Sequence, residues 1–274
     1  MYICPVCGKS LKPDKSSYRC KNGHCFDIAK NGYVNLLTTK GMNPKKAGDN
    51  PLMVKARSDF LDKDYYKPLA LKTAEIIKAL LNGITKPIII DSGCGEGYYT
   101  AVYAEEAENA EVYGIDISKT AAAHCMTRCR LNGIKNASFA AASSFRLPFC
   151  SLYADLIVCT FAPVSNDEYS RVLKKGGALV IVSPAARHLY GLKSVLYEKP
   201  YENRPNVYGL RNFVKADETE LTYTVTLETN EDIRNLFTMT PYFYKTREDA
   251  KNRLFSLDSL ETECSFLIET YRKK

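Results

Sequence analysis

Two groups of residues in this chain have the types and spacing to do chemistry. In the first, the apolar run Ile88-Ile89-Ile90 ends in Asp91, and Gly93, Gly95 and Gly97 then fall at alternate positions. Positions without a side chain let a backbone pass close to a bound molecule, and the helix start that follows offers unpaired N–H groups. Asp116 closes a second apolar run, Val112-Tyr113-Gly114-Ile115, 23 residues beyond Gly93. An open α/β sheet places at that point the acid that holds a ribose diol. A dinucleotide fingerprint wants glycine at its sixth position, for close helix–strand packing, and here that position is Tyr98. The spacing therefore favours a different nucleoside cofactor.

The second group is Cys4-Pro5-Val6-Cys7, followed by Cys20, His24 and Cys25. A Cys-x-x-Cys knuckle sets two thiolates on one side of a tight turn, and a second pair about a dozen residues later completes a tetrahedral zinc site. Only one of His24 and Cys25 is needed, because neighbouring side chains usually point apart. A redox pair would need a βαβ setting, whereas this motif starts the chain and leads into a Lys/Ser/Pro-rich hairpin, Ser10 to Ser17. Structural zinc is the expectation. So short a segment buries little apolar surface, and the metal substitutes for a core.

The elements that must position these groups follow from periodicity. Helices are predicted from about Leu52 to Asp62 and from Pro68 to Leu81, with Gly83 stopping the second. From Ile88 the pattern alternates as a doubly wound fold does. Strand 88–91 leads to a helix from Tyr98, and strand 111–116 to a helix capped by Ser118 that ends before Gly133. Strands near Ser138–Ala142 and at Asp155–Cys159 come next, then a helix from about Asp167 to Leu173. Lys175-Gly176-Gly177 turns into strand Ala178–Val182. In the tail, Leu221, Tyr223, Val225 and Leu227 alternate with threonines as a half-exposed strand should. Helices near 231–237 and 246–255 and a strand from Thr262 to Thr270 close the chain. Residues 38–51, with Gly41, Pro44, Gly48 and Pro51, read as a flexible linker.

Composition sets the class. At 274 residues, 45% hydrophobic and 25% charged, the chain has the size for one large domain plus a small module. No apolar stretch approaches the roughly 18 residues of a membrane span, and Cys4, Cys7 and Lys9 fall where a signal peptide would be apolar. A cytoplasmic location is expected, and ten cysteines there are ligands or core residues rather than disulfides. Of the net charge of +7, residues 1–64 carry +6 (12 Lys/Arg against 6 Asp) and the rest carry +1. Such asymmetry draws a polyanion to one face.

The Asp91-x-Gly93-x-Gly95-x-Gly97 loop resembles that of S-adenosylmethionine (SAM) methyltransferases. Read end to end, the chain closely resembles the bacterial large-subunit ribosomal RNA guanine-N1 methyltransferases of the RlmA type. The segments that carry this include Cys-Pro-x-Cys at 4–7, Ser17-Tyr18-x-Cys20 with His24-x-Phe26-Asp27, and Ala29-Lys30-x-Gly32-Tyr33-Val34-Asn35-Leu36-Leu37. Ala56-Arg57-x-x-Phe60-Leu61-Asp62, Tyr66-x-Pro68-Leu69, Gly93 to Thr100, Arg146-Leu147-Pro148-Phe149, Pro184-x-x-Arg187-His188-Leu189 and Met239-Thr240-Pro241 continue it. The glycine loop alone is generic. Its combination with the ribbon and the Tyr-Val-Asn-Leu-Leu segment is specific.

The resemblance implies an α/β chain: a doubly wound, seven-stranded, Rossmann-like SAM-dependent methyltransferase domain preceded by a zinc ribbon. The corresponding division is 1–37 ribbon, 38–64 linker and first helix, 65–274 methyltransferase. Carried over by position, it implies zinc ligands Cys4, Cys7, Cys20 and His24, and cofactor contacts at Tyr66, Gly95, Glu96 and His188. Ser92 departs from the usual apolar residue, a change expected to leave the chemistry untouched. Beside these, Asp91 is expected to accept N–H groups of the glycine loop next to Gly93, Asp116 to bind the ribose, and Ala142–Leu147 to edge the adenine. The implied reaction moves a methyl group from SAM to guanine N1 in a hairpin loop of large-subunit ribosomal RNA. The base comes from a loop or is flipped out, and no residue is marked as its general base. Thr160-Phe161-Ala162-Pro163 offers a hydroxyl, a ring and carbonyls near the fourth strand end. Ribosomal RNA is the expected partner, with a homodimer left open and no membrane. A small-molecule acceptor would leave the basic ribbon without purpose, and a non-enzymatic adaptor would not need the intact loop and Asp116.

Overall fold

The computed structural model describes residues 1–38 and 50–274. Most of the expected linker therefore lies outside the described residues. At the N-terminus, β1 (Leu11–Asp14), β2 (Ser17–Cys20) and β3 (Cys25–Asp27) form a small antiparallel sheet, the first two joined as the expected hairpin. β4 (Val34–Asn35) follows. α1 (Pro51–Leu61) starts on Asn50, whose side chain accepts the Met53 N–H at 3.0 Å, with proline in the first turn where no N–H is missed. α2 (Lys67–Leu80) follows α1.

The alternating part runs β5 (Ile88–Ser92), α3 (Tyr98–Glu106), β6 (Glu111–Asp116), α4 (Lys119–Leu131), β7 (Ala137–Ala141), β8 (Ala154–Thr160), α5 (Asn166–Val172) and β9 (Leu173–Pro184). Ser118 caps α4 as expected, its hydroxyl accepting the Ala121 N–H. α6 (Tyr190–Leu196), β10 (Phe213–Leu227), α7 (Asn230–Thr238), α8 (Glu248–Phe255) and β11 (Leu260–Lys273) complete the chain. α6, two turns long, carries too few residues to show a helical period and was not anticipated.

The main sheet has the order β10-β11-β9-β8-β5-β6-β7-β4. β4 to β9 pair in parallel, and β11 and β10 add the antiparallel hairpin at one edge. The chain runs outward from β5 through β6 to β7 and then returns to β8 on the other side. β5 is thus the topological switch point, where open α/β sheets bind ligands beyond their carboxyl ends. Successive residues of each central strand face opposite sides. Ile89, Val112, Leu156 and Val180 pack under the helices α2 and α3, and Ile90, Ile115, Ile157 and Leu179 face the other way.

Eight strands stand where seven were expected. The extra one is β4, from the N-terminal segment, with Val34 opposite Ala140 and Asn35 opposite Ala141. It covers the edge of β7, and buried Val34 and Leu36 hold it there. The ribbon is joined to the sheet by packing as well. Tyr2, 3% exposed, sits among Tyr18, Tyr113 and Phe149 at ring distances of 5.5 to 5.7 Å, and the Ile3 N–H donates to the Pro148 carbonyl at 2.8 Å. Cys4, Leu11 and Cys20 belong to the same buried cluster as Ile90 and Ile157. The expected division at residue 37 thus cuts through a shared core.

Replacing Tyr2 by alanine should therefore lower the unfolding free energy of the whole chain, by about 3 kcal/mol or more for loss of a buried aromatic ring. Urea unfolding followed through the sheet measures it. A sheet transition that stays in place would mean that the ribbon is only tethered.

Candidate functional site

The ribbon brings four donors together. Its two turns close through Gly8, whose N–H donates to the Cys4 carbonyl at 2.8 Å, and Gly23, whose N–H donates to the Cys20 carbonyl at 3.0 Å. Cys7 Sγ lies 3.7 Å from Cys20 Sγ, and His24 Nδ1 lies 3.6 Å from Cys4 Sγ and 3.4 Å from Cys20 Sγ. All four donor atoms fall within 4.8 Å of one another. Bonds of about 2.3 Å to sulfur and about 2.0–2.1 Å to nitrogen give a tetrahedron with edges of about 3.5–3.8 Å, so the donor set has the size of a zinc site. The Lys9 backbone N–H, aimed at Cys7, holds that thiol below its ordinary pKa, while burial raises that of Cys4. Cys25 is exposed on β3 opposite Arg19 and lies outside this cluster. His24, which precedes β3, completes the set of four, and Cys25 stands apart from it.

The second site is a cleft of about 1260 Å³ at the carboxyl ends of β5, β6, β8 and β9. The turn after β5 forms its floor. Gly93, at φ +84°, donates its N–H to the Ile115 carbonyl at 2.7 Å, and a Cβ there would meet that of Ala162 at 2.4 Å. Gly95, at φ +56°, is different, since a Cβ would stand 3.5 Å from Arg57 Nη1, on the cleft side. The first glycine is required by the neighbouring chain, the second leaves room for a ligand.

The two acids exchange their expected tasks in part. Asp116 braces the loop: its carboxylate accepts the Gly95 N–H at 2.9 Å and the Ser118 N–H at 2.7 Å, and it lines the cleft. Asp91 is fully buried and accepts the Thr100 hydroxyl at 2.5 Å instead of the loop N–H groups. Strand alternation explains this, because Asp91 shares the face of Ile89, toward α3. Burial pushes its pKa up to about 7. Ser92 also has a role its position did not suggest. Its hydroxyl accepts that of buried Tyr169 at 2.9 Å, which ties the β5 end to α5.

The residues placed by resemblance collect around the same cleft. Tyr66 and His188 are both buried, with Tyr66 Oη 3.4 Å from His188 Nε2. His188 Nδ1 is buried without a partner among the described residues. Burial, helped by the Lys193 charge, lowers the His188 pKa to about 3, so the ring is neutral near pH 7. Glu96 is 2% exposed and accepts from Arg128 Nη2 at 2.5 Å, while Arg128 Nη1 reaches Asp62 at 2.5 Å and Nη2 reaches Ser58 at 3.0 Å. Burial raises the Glu96 carboxyl above its ordinary pKa even beside that guanidinium. Arg128 thus pins α1 to the glycine loop. Nothing in its sequence surroundings signalled this, because its three partners come from distant segments. Ser143, Ser144 and Phe145 line the wall where the adenine edge was expected, and Asn206 and Tyr208 enter from a loop that carried no motif.

A side-chain-free turn at the cleft floor, a carboxylate on its wall and a buried imidazole nitrogen without a partner among the described residues fit a nucleoside bearing a charged amino-acid tail. The comparisons agree. Residues 86–238 match a family described as a methyltransferase domain, and residues 2–42 match the zinc-ribbon family described as "RlmA, N-terminal". The fold resembles the crystal structure of YcgJ from Bacillus subtilis, with a TM-score of 0.50 at 12% identity over 74% of this chain and 98% of that one. The chain is a SAM-dependent methyltransferase with a structural zinc ribbon. It is 35% identical to the 23S rRNA (guanine(748)-N(1))-methyltransferase of Streptomyces fradiae, over 70% of this chain and 66% of that protein. A B. subtilis protein, YxjB, whose name provisionally gives it a 23S rRNA guanine-N1 activity, is 30% identical over 95% of this chain and 93% of its own. The chain belongs to the RlmA-type ribosomal RNA guanine-N1 methyltransferase family.

Two outcomes follow from this geometry. The purified chain should hold about one zinc ion, lost on Cys7→Ser and His24→Ala but kept on Cys25→Ser, as metal analysis would read. Asp91→Asn should raise stability at pH 8, because the folded state there holds an ionised, buried carboxylate that the unfolded chain solvates freely. The gain should shrink as pH falls from about 7 toward the unfolded pKa of about 3.9, and denaturant melts across that range would show it.

Proposed function

We propose that this chain transfers the methyl group of SAM to N1 of a guanine in a hairpin loop of large-subunit ribosomal RNA, in the cytoplasm. The observation that carries this is the joining of a basic zinc ribbon, through a shared core, to the sheet whose switch point forms the cofactor cleft. Among the described residues no helix is long and apolar enough to cross a membrane. Tyr66, Gly93, Gly95, Glu96, Asp116 and His188, which all line the cleft, would hold SAM, the two glycines by shaping its floor and leaving it room. Asp91 would act from behind, through Thr100 and α3.

The sulfonium supplies an electrophilic methyl group, and the displacement asks the protein for alignment and exclusion of water. A neutral His188 suits a cleft that receives a cation, since a protonated ring would repel it. At the β8 end the expected proton acceptors are already engaged. The Thr160 hydroxyl is 3.2 Å from Tyr103 Oη, the Ala162 carbonyl accepts from Cys159 Sγ, and the Pro163 carbonyl accepts from Tyr169. A small-molecule acceptor is the alternative, and labelled SAM offered with unmethylated ribosomal RNA against a panel of small acceptors decides between them.

Asp116→Ala should weaken SAM binding by about tenfold or more, from a charged hydrogen bond worth about 1.5–3 kcal/mol, and Gly95→Val should abolish it by filling the cradle. Calorimetry with near-native affinity for either would remove the cofactor assignment. For the RNA, each phosphate contact adds about 0.9 (duplex) or about 0.7 (single strand) to the slope of log affinity against log salt. Neutralising exposed Lys9, Lys12 and Lys15 should flatten that slope and raise the KM for RNA while sparing turnover at saturation. Lys86, Lys135 and Lys175, exposed at the amino ends of β5, β7 and β9, are the control. Equal effects would mean that the ribbon's charge is only solvated surface.

A further inference from the structure

We propose that Phe161 is the positioning residue on which the extruded guanine stacks, a proposal that rests on the guanine-N1 function above. Phe161 follows directly on β8 and lines the cleft, and it stands at φ +53°. A bulky residue in the left-handed region is strained, and such strain persists only where the surroundings over-determine it. Here they do. The Phe161 N–H donates to the Val182 carbonyl at 3.0 Å, Cys159 Sγ donates to the Ala162 carbonyl at 3.3 Å, and Tyr169 Oη donates to the Pro163 carbonyl at 3.2 Å. From below, Ala162 Cβ occupies the space that a side chain at Gly93 would need. Four independent contacts therefore hold a turn that the backbone would otherwise leave.

What the strained turn presents is a ring. Phe161 packs against Phe266 at 5.7 Å and Tyr99 at 6.3 Å, with His188 at 6.4 Å, yet keeps 43% of its surface exposed. An apolar residue that serves only the core would be covered, as its neighbours Tyr99 and Phe266 are, at 8% and 0%. The turn is shared with the floor of the cofactor loop, so the ring is fixed relative to the methyl donor's cradle rather than to a mobile rim. A guanine leaving a hairpin loses its stacking partners, and an aromatic face replaces them without regard to which edge is read. That leaves the N1 edge free to face the methyl group.

The test uses the full chain with Phe161→Ala, Phe161→Leu and Phe161→Tyr. Each is measured for kcat/KM on a transcript of the ribosomal RNA hairpin and, separately, for SAM affinity by calorimetry, which also verifies folding. The alanine and leucine variants should lose about 5- to 150-fold in kcat/KM for RNA, the range of one base–aromatic stack. Phe161→Tyr, which keeps the ring, should stay within about threefold, and SAM affinity should be preserved throughout. Leucine performing as well as phenylalanine would overturn the platform, since any apolar wall would then serve. SAM affinity falling in step with turnover would overturn it too, by making the ring part of the cofactor wall. A wild-type chain inactive on guanine-containing RNA would instead fail the functional assignment itself, before any variant is compared.

Discussion

The close approach of the Gly93 backbone to Ala162 is the contact on which the cleft depends. It welds the turn after β5 to the turn after β8, and the places of Asp116 and Phe161 in the site are set from these two turns. From the first turn, Gly95 is handed to Asp116 and thereby to the end of β6. From the second, Phe161 is aimed into the cavity and tied to β9 through Val182. A methyl group at Gly93 would have no place to go, because the atoms it would meet are anchored by a strand on either side. Rigidity here has a chemical purpose, since an in-line transfer loses rate steeply when donor and acceptor are misplaced by an ångström.

The ribbon and the sheet show how a small metal module can be made part of a larger body. Zinc supplies what the first 30 residues lack in apolar surface, and Tyr2, Leu11 and β4 then spend that ordered surface on the sheet. The charge asymmetry acquires a location from this. Most of the excess positive charge lies in the segment that leads to the β7 edge, and α1, from the same charged stretch, forms a wall of the cleft and is held to the loop by Arg128.

Much of this was legible before any coordinates. The strand-and-helix alternation from Ile88 to Val182, the capping serine of α4 and the final hairpin all follow from local patterns, and the elements fall within a few residues of their expected places. The cysteine knuckles had a spacing and a setting that favour a metal over a redox pair. What failed was reading of direction. Asp91 and Asp116 are both acids at strand ends, and sequence alone could not tell which would turn toward the loop and which toward α3. Ser92 passed as a neutral variation because its partner, Tyr169, lies 77 residues away. Arg128 gave no signal at all, being one basic residue among several at the end of a helix.

Sequence by itself determined the chemistry available to this protein: the zinc donors, the glycine turn, the paired acids and the family. These depend on residue types at short spacings, which the chain carries locally. Only the tertiary structure decided how they are used. It gathered His24 rather than Cys25 with the three thiols, gave the brace to Asp116 rather than Asp91, and merged the ribbon with the sheet. It also left one strained phenylalanine half exposed above the cofactor floor, because contacts between distant segments, not local preference, fix where a side chain points.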